Sequence, residues 1–278
     1  EKYHLPVIVK PTDSSGSKGI TVLHTWDGLE DAYDRALSFS RAKRIIMEEY
    51  IEKKHPYLIG GDIFIQDGKV ILWGLMNCHR DDKVNPLVPV GKSYPPELAE
   101  ADVSRVRDTL QGIVDRLHLH NGAMNVELVI DRDDRVWPID IGPRNGGNRI
   151  PELMGLIFGI DVVEMSVKTA MEENVQFEIS KESSSCYATC NLHSVQSGIL
   201  EEVLFSKELE SFIIKKYIYM KKGDFVEYFD NAAKVIGILF LKFTDKKKMQ
   251  KILSNLERHI IIKLATEKME QISSNGEE

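Results

Sequence analysis

Cysteine is scarce in this sequence: Cys78, Cys186 and Cys190 are the 3 among 278 residues. An odd number without zinc or disulfide spacing excludes a stapled secreted scaffold and suits a reducing cytoplasm. Long apolar runs are also lacking. Stretches such as 236–241, interrupted by Gly237, fall far short of the about 18 to 20 residues that span a bilayer. No transmembrane helix is predicted, and no secretory signal is read at the N-terminus. Positive charge is in deficit, with 36 Lys and Arg against 43 Asp and Glu and a net charge of −7. Gripping a nucleic-acid backbone or an anionic membrane would need a basic patch working against that sign. None is read, so neither is an expected partner. Repeats and low-complexity tracts are missing as well. What is present is 42% apolar content, ordinary for a chain that buries a core. The length suits roughly one and a half to two and a half domains. The first residue is Glu1, not Met, a few residues before a strand-like run, as though the chain were cut from something longer.

Patterning is even up to residue 172 and then gives way to Glu172-Glu173-Asn174 and a Ser-rich stretch, 180–185. This predicts a domain over 1–172, a linker at 173–185, a smaller α+β domain at 186–262, and a tail at 263–278 that ends in disorder. Strands are predicted at 7–9, 45–47, 63–65, 70–72, 124–130 and 136–141. A helix is predicted over 96–117, with Ala99, Val103, Val106, Leu110, Ile113 and Leu117 facing inward. Beyond the linker, strands are expected at 187–192, 198–203, 213–220 and 235–243, and a helix at 245–258. The mixture of hairpins and helices gives an α+β fold class.

Four constellations carry chemistry. In the first, Val7-Ile8-Val9 delivers Lys10 into a loop holding Ser14, Ser15, Gly16, Ser17, Lys18 and Gly19. A cation, hydroxyl donors and closely approachable N–H groups are what a phosphate needs; a mobile hairpin loop has the same composition. In the second, the strand Ile45-Ile46-Met47 ends in Glu48-Glu49-Tyr50-Ile51, which a simple strand exit also explains. A turn at Asp67-Gly68 follows. It is expected to place Ile63, Ile65, Val70 and Leu72 on one face, and Asp62, Phe64 and Trp73 on the other.

The third constellation comes from pairing arithmetic. If 124–131 and 136–142 form a hairpin closed by residues 131 and 136, Glu127 lies opposite Asp140. Val126, Leu128, Ile130, Trp137, Ile139 and Ile141 then share the other, apolar face. Opposed carboxylates repel unless a cation sits between them or one is protonated, and hard oxygen ligands suit Mg²⁺. A register shifted by one would leave the two acids separately solvated. The fourth constellation, Gly142-Pro143-Arg144-Asn145-Gly146-Gly147-Asn148-Arg149, is a donor-rich loop whose Arg144 can fork onto a phosphate or carboxylate or lie in a surface turn. Among weaker candidates, His79, Arg80 and Lys83 face either a site or solvent, while Cys186 and Cys190 read as strand residues.

Taken in order, these four constellations resemble the ATP-grasp family over residues 5–170, and the C-terminal part resembles that of the amino-acid-ligase type. The resemblance implies an ATP-grasp fold of two α+β lobes with a small C-terminal α+β domain. It implies a carboxylate–amine ligase of the L-amino acid ligase type, using ATP and Mg²⁺, with Mn²⁺ as an alternative. In such a reaction ATP phosphorylates a carboxylate and an amine attacks the acyl phosphate.

By the same resemblance, Lys10 contacts the nucleotide phosphates under a flexible loop of Ser14, Ser15, Gly16, Ser17, Lys18 and Gly19. Glu48, Glu49, Tyr50 and Ile51 form the stretch that frames the adenine. Asp62 stands where a ribose-binding Glu is usual, Glu127 and Asp140 match the metal-binding acids, and Arg144 matches the arginine on the transferred phosphate or acyl phosphate. Gly142 replaces a usual metal-binding Asn, and Asp62 and Asp140 are one methylene shorter than the usual Glu. The family's preceding α/β domain and its first phosphate-contacting lysine are absent from these 278 residues, so an N-terminal partner segment or a homodimer is expected. Small-molecule carboxylate and amine substrates are the other partners. The rival readings are a nucleotide-binding or interaction module without turnover, and a biotin-carboxylase or carbamoyl-phosphate type of enzyme.

Overall fold

The computed structural model describes residues 4–173, 176–179 and 183–265, and the structural statements below concern these residues. Alternation in β1 (Val7–Pro11) buries Val7 and Val9 and turns Ile8 and Lys10 the other way. β1 pairs antiparallel with β2 (Thr21–Leu23) and β3 (Ile45–Glu49). α1 (Leu29–Ser38) covers the Val7 and Val9 face with Ala32 and Ala36, closing a small lobe.

A larger antiparallel sheet follows, built from β4 (Leu58–Gln66), β5 (Lys69–His79), β6 (Gly91–Tyr94), β7 (Gly122–Ile130) and β8 (Val136–Gly142). Between β6 and β7 runs α2 (Glu100–Arg116), and after β8 come α3 (Ile150–Phe158) and α4 (Val162–Ala170). The remaining elements are β9 (Cys186–Leu192), β10 (Gly198–Phe205), α5 (Lys207–Glu210), β11 (Ile213–Ile218), β12 (Phe225–Val226), β13 (Gly237–Phe243), α6 (Lys246–Leu253) and β14 (Ile260–Ala265). Strand order in the large sheet is β11-β13-β9-β6-β5-β4-β7-β8, and β12-β10-β14 form a separate sheet. The α+β class holds. Because β9 pairs directly with β6, the stretch expected as a linker joins two parts of one sheet and does not divide it. The expected tail starts too early, since residues 263–265 pair within β14; its disordered end lies outside the described residues.

The large sheet is covered on both faces. On one, α2 lays Val106, Leu110 and Val114 over Ile59, Ile63, Ile65, Val126 and Leu128. That i, i+4, i+8 spacing is the buried stripe of an amphipathic helix, and full burial of each such side chain contributes about 1.5–3 kcal/mol. The helix ends at Arg116, so Leu117, expected inside, is exposed. On the other face, α3 and α4 bring Leu153, Met154, Ile157 and Met165 onto Phe64, Leu72, Met76 and Tyr94.

Two bulges change which side chains reach which face. In β4–β5, Ile65 pairs with Val70 but Phe64 pairs with Leu72, so Ile71 is the extra residue. Leu72 therefore joins Phe64 under α3, and Trp73 pairs with Ile63 on the α2 face, the reverse of the expected assignment for both. In β7–β8, the closing pair is Ile130 with Val136, one residue off the expected register, and an extra residue at Ile139 then restores Glu127 opposite Asp140. The facing acids are thus as expected, but Trp137 and Ile139 are exposed instead of joining the core.

With the closure shifted, Asp131 is free to serve the turn. It leaves the ladder to cap the turn, its Oδ1 accepting from the N–H groups of Asp133 and Arg135 at 2.9 Å each. Its Oδ2 accepts from Arg135 Nε at 2.9 Å and Trp137 Nε1 at 2.7 Å. Desolvation alone would raise the Asp131 carboxyl, but the bonds from Trp137, Arg135 and Asp133 outweigh it and hold the pKa down to about 2. A depressed carboxyl stabilises the fold fully above its ordinary value of 3.8 and loses that contribution as the pH falls toward about 2. Acid titration of stability should therefore show a decline in that window that Asp131→Asn lacks. Parallel curves for the two proteins between pH 4 and 2 would contradict the capping role.

Candidate active site

The period of two along β5 sends Met76 and Cys78 to the α3 face and Asn77 and His79 to the other. Lys92 on β6 lies opposite Cys78, and Glu127 on β7 lies opposite both Gly60 on β4 and Asp140 on β8. Gly60 leaves the space between them open: a Cβ there would stand 3.0 Å from Cys78 Sγ and 2.7 Å from the Val126 carbonyl. One face of the sheet thus changes along its strands from the apolar floor under α3 to a polar row of Lys92, Cys78, Glu127 and Asp140.

Arg80, the first residue beyond β5, keeps the parity of Cys78 and reaches the same row. Its Nη2 donates to Glu127 Oε1 at 2.6 Å, and its Nη1 donates to the His79 carbonyl at 3.2 Å. Lys92 Nζ donates to Cys78 Sγ at 2.9 Å. Burial would raise the Glu127 carboxyl, but Arg80 and Lys92 outweigh it and hold it below its ordinary range. Asp140 is exposed and has no ion-pair partner among the described residues. His79 points away, its Nε2 2.8 Å from Ser93 Oγ; burial, then the charges of Arg80 and Lys92, push its pKa down to about 4, so the ring is neutral at pH 7. Lys83 is a solvated residue paired with Glu257.

In the small lobe, Lys10 lies opposite Ile46 and Ile8 opposite Glu48, so Lys10 reaches diagonally across the pair to form an ion pair with Glu48. The loop over residues 14–19, expected to be flexible, is docked: Ser17 Oγ donates to the Leu87 carbonyl at 2.9 Å, and the Ala232 N–H donates to the Gly16 carbonyl at 3.3 Å. It therefore bridges the small lobe to the β5–β6 connection and to the C-terminal part. Ser14 and Ser15 at its start are exposed, Lys18 is half-buried and Gly19 is buried. Glu49 ends β3, Tyr50 N–H donates to the Pro6 carbonyl at 2.9 Å, and Ile51 opens the crossing to β4. Glu48, Glu49, Tyr50 and Ile51 thus lie at the junction between the lobes.

The loop after β8 is shaped from beneath. Asp62, fully buried, accepts from Asn125 Nδ2 at 2.8 Å and from the Gly146 N–H at 2.9 and 2.8 Å. Burial pushes this carboxyl up, against the bonds from Gly146 and Asn125 and the charges of Lys92 and Arg144. Glycine at 146 lets the loop sit this close: a Cβ there would stand 2.7 Å from Asp62 Oδ1 and from Asn125 Nδ2 and would have to displace them. Asp62 was expected as a ribose contact, but its carboxylate is committed inside the protein to holding this loop. Arg144 is exposed, its Nη1 donating to the Asn145 carbonyl at 3.0 Å. Its guanidinium covers Gly142, where the three atoms nearest to a Cβ would all belong to Arg144, at 3.5 to 3.6 Å. Truncating Asp62 to Ala takes the acceptor from the Gly146 N–H and leaves Asn125 Nδ2 with only the Gly61 carbonyl at 3.0 Å, a loss of about 1–3 kcal/mol. Urea unfolding should show that loss; an unchanged midpoint would mean the loop is held by something else.

The sequence pattern had set Arg80 among the weaker candidates and passed over Lys92 and Cys78. The available signal is the parity that Arg80, just past β5, shares with Met76 and Cys78, and that Lys92 shares with Tyr94 on β6.

Comparison with known proteins agrees with this architecture. Residues 3–152 match the ATP-grasp domain. The formate-dependent phosphoribosylglycinamide formyltransferase of Corynebacterium efficiens is 29% identical over 153 residues, which are 52% of this chain and 36% of that protein. The crystal structure of phosphoribosylglycinamide synthetase from Anaerococcus prevotii superposes with a TM-score of 0.67 at 25% identity, over 94% of this chain and 65% of that one. L-amino acid ligase from Bacillus licheniformis gives a TM-score of 0.80 at 18% identity, over 96% of this chain and 66% of that one. The chain spans less than two thirds of each of these relatives. With the two lobes, the acid-bearing hairpin and the match over residues 3–152 in agreement, this chain belongs to the ATP-grasp family.

Proposed function

We propose that this chain forms the nucleotide- and metal-binding part of an ATP- and Mg²⁺-dependent carboxylate–amine ligase. The observation that carries the reading is the placement of Glu127 opposite Asp140, with Arg144 in the turn that follows β8. Support from relatives is of the same kind: a formyltransferase, a synthetase and a ligase share the domain or the fold.

The residues present fit a hard cation. Glu127 and Asp140 offer carboxylate oxygens from adjacent strands. No group of three or more His, Cys, Asp or Glu among the described residues forms a complete cage, which suits an ion that keeps waters and takes phosphate oxygens. Bound there, Mg²⁺ would offset phosphate charge, with Mn²⁺ as a substitute. Lys10 would exchange Glu48 for nucleotide phosphates, and Ser14, Ser15, Gly16, Ser17, Lys18 and Gly19 would close over them. Glu48, Glu49, Tyr50 and Ile51 would line the adenine. Arg144 would steady charge on the phosphoryl group as it passes to the substrate carboxylate, and a small-molecule amine would then displace phosphate from the acyl phosphate. Catalysis of this kind is positioning and electrostatics, with no covalent protein nucleophile. A preceding segment or a second copy of the chain would complete the substrate pocket. The three buried free thiols suit a reducing, cytoplasmic setting.

A second reading, nucleotide binding without turnover, is motivated by Gly142, which supplies no metal ligand. Incubation with ATP, Mg²⁺ and pairs of amino acids separates the two. Release of ADP that needs both a carboxylate and an amine supports the ligase. ADP release driven by bicarbonate would support a carboxylase-type reaction instead, and binding without any release favours the second reading.

Thermal denaturation with ATP and Mg²⁺ tests the metal site itself. Glu127→Gln and Asp140→Asn should each abolish the magnesium-dependent stabilisation. Without ligands Asp140→Asn should melt like the parent, whereas Glu127→Gln should melt lower, because it weakens the partner of a guanidinium that is only 9% exposed. Full retention of the magnesium-dependent shift by either variant would refute the site. Lys10→Ala should weaken binding of a non-hydrolysable ATP analogue by about 1.5–3 kcal/mol, the range for a bond to a charged group, as read by calorimetry.

A further inference from the structure

Arg80 holds Glu127 in a way that the metal reading leaves unexplained. The guanidinium is almost wholly buried, and its Nη2 takes Glu127 Oε1 at 2.6 Å, one of the two oxygens that carboxylate could offer a metal. Its Nε is buried and has no hydrogen-bond partner. A planar guanidinium presents Nε and a terminal nitrogen as a two-pronged fork for carboxylate or phosphate, and here one prong is unused. Lys92, bonded to Cys78 at 2.9 Å, is close enough for its charge to act on Glu127, and Lys53 is close enough to Arg80 for their charges to repel.

A bare divalent ion arriving at Glu127 would meet Arg80 and Lys92, and would compete with Arg80 for the one carboxylate it pairs with among the described residues. A buried guanidinium left without a counter-ion is costly. An ion arriving with phosphate oxygens brings that counter-ion with it. We propose that Arg80 is a positioning residue that makes divalent-cation binding at Glu127 conditional on a phosphate-bearing ligand: it holds Glu127 in the empty site and turns its fork to a phosphate oxygen when the cation takes the carboxylate. This rests on the assignment of Glu127 as a metal ligand, and what it adds is the part played by Arg80.

The test reads binding, not turnover. Mn²⁺ affinity is measured by electron paramagnetic resonance on the whole chain without nucleotide, and AMP-PNP affinity is measured by calorimetry with and without Mn²⁺. Wild type should bind Mn²⁺ weakly alone and bind AMP-PNP more tightly when Mn²⁺ is present. Arg80→Met should bind nucleotide-free Mn²⁺ about tenfold more tightly, the factor for releasing one charge-assisted hydrogen bond, while losing much of the AMP-PNP enhancement. Arg80→Lys, which keeps the charge, should stay near wild type in nucleotide-free Mn²⁺ affinity. A merely structural role would instead weaken Mn²⁺ binding in Arg80→Met, and equal or weaker binding overturns the proposal. Should Arg80→Met not fold, Arg80→Gln is read by the same criterion, and wild-type AMP-PNP affinity that does not respond to Mn²⁺ also overturns it. Glu127→Gln separates the two claims. If that variant keeps the Mn²⁺ enhancement, the metal assignment itself fails; if it loses the enhancement while Arg80→Met leaves Mn²⁺ affinity unchanged, only the role of Arg80 fails.

Discussion

The functional half of this molecule is arranged around two carboxylates placed opposite each other on neighbouring strands, a placement that a cation between them favours. Glu127 and Asp140 are brought opposite each other by the β7–β8 register. The two acids are held unequally: Glu127 is paired with a buried arginine, and Asp140 stands in solvent. The pair is therefore asymmetric, with one anchored acid and one available acid. A hard cation with water and phosphate in its remaining positions suits that arrangement better than a closed protein cage does.

The apolar half of the same sheet face makes the polar half possible. Phe64, Leu72, Met76 and Tyr94 sit under α3 and α4 and fix the strands, while the other face is locked by α2. Asp62 lies where the two halves meet. Buried and committed to Gly146 and Asn125, it sets the loop that carries Arg144 relative to the acid pair. The docked loop over residues 14–19 joins the small lobe to the β5–β6 connection through Leu87 and to the C-terminal part through Ala232.

Much of this was legible in the residue pattern. Period-two alternation located β7 and β8, and helical spacing located α2. The facing of Glu127 and Asp140 was anticipated, but along a route that the structure corrects: two departures from regular pairing, a turn capped by Asp131 and an extra residue at Ile139, cancel. Pairing arithmetic sees only their sum. The same bulge exposes Trp137 and Ile139, and its counterpart at Ile71 exchanges the faces of Leu72 and Trp73. Such slips depend on local bonding that spacing does not encode. Arg80 and Lys92 were obscured for another reason: a polar run after a strand looks solvated until the neighbouring strands that bury it are in place. Asp62 shows the converse, a residue whose type suggested a ligand and whose burial commits it to the scaffold.

The most direct test of the acid pair is anomalous diffraction at the manganese edge from crystals grown with Mn²⁺ and a non-hydrolysable ATP analogue. The account predicts a manganese peak between the carboxylates of Glu127 and Asp140, with nucleotide phosphate density on its open side and Arg80 turned from Glu127 toward a phosphate oxygen. Bound nucleotide with no manganese at this pair, or with manganese held elsewhere, would contradict it.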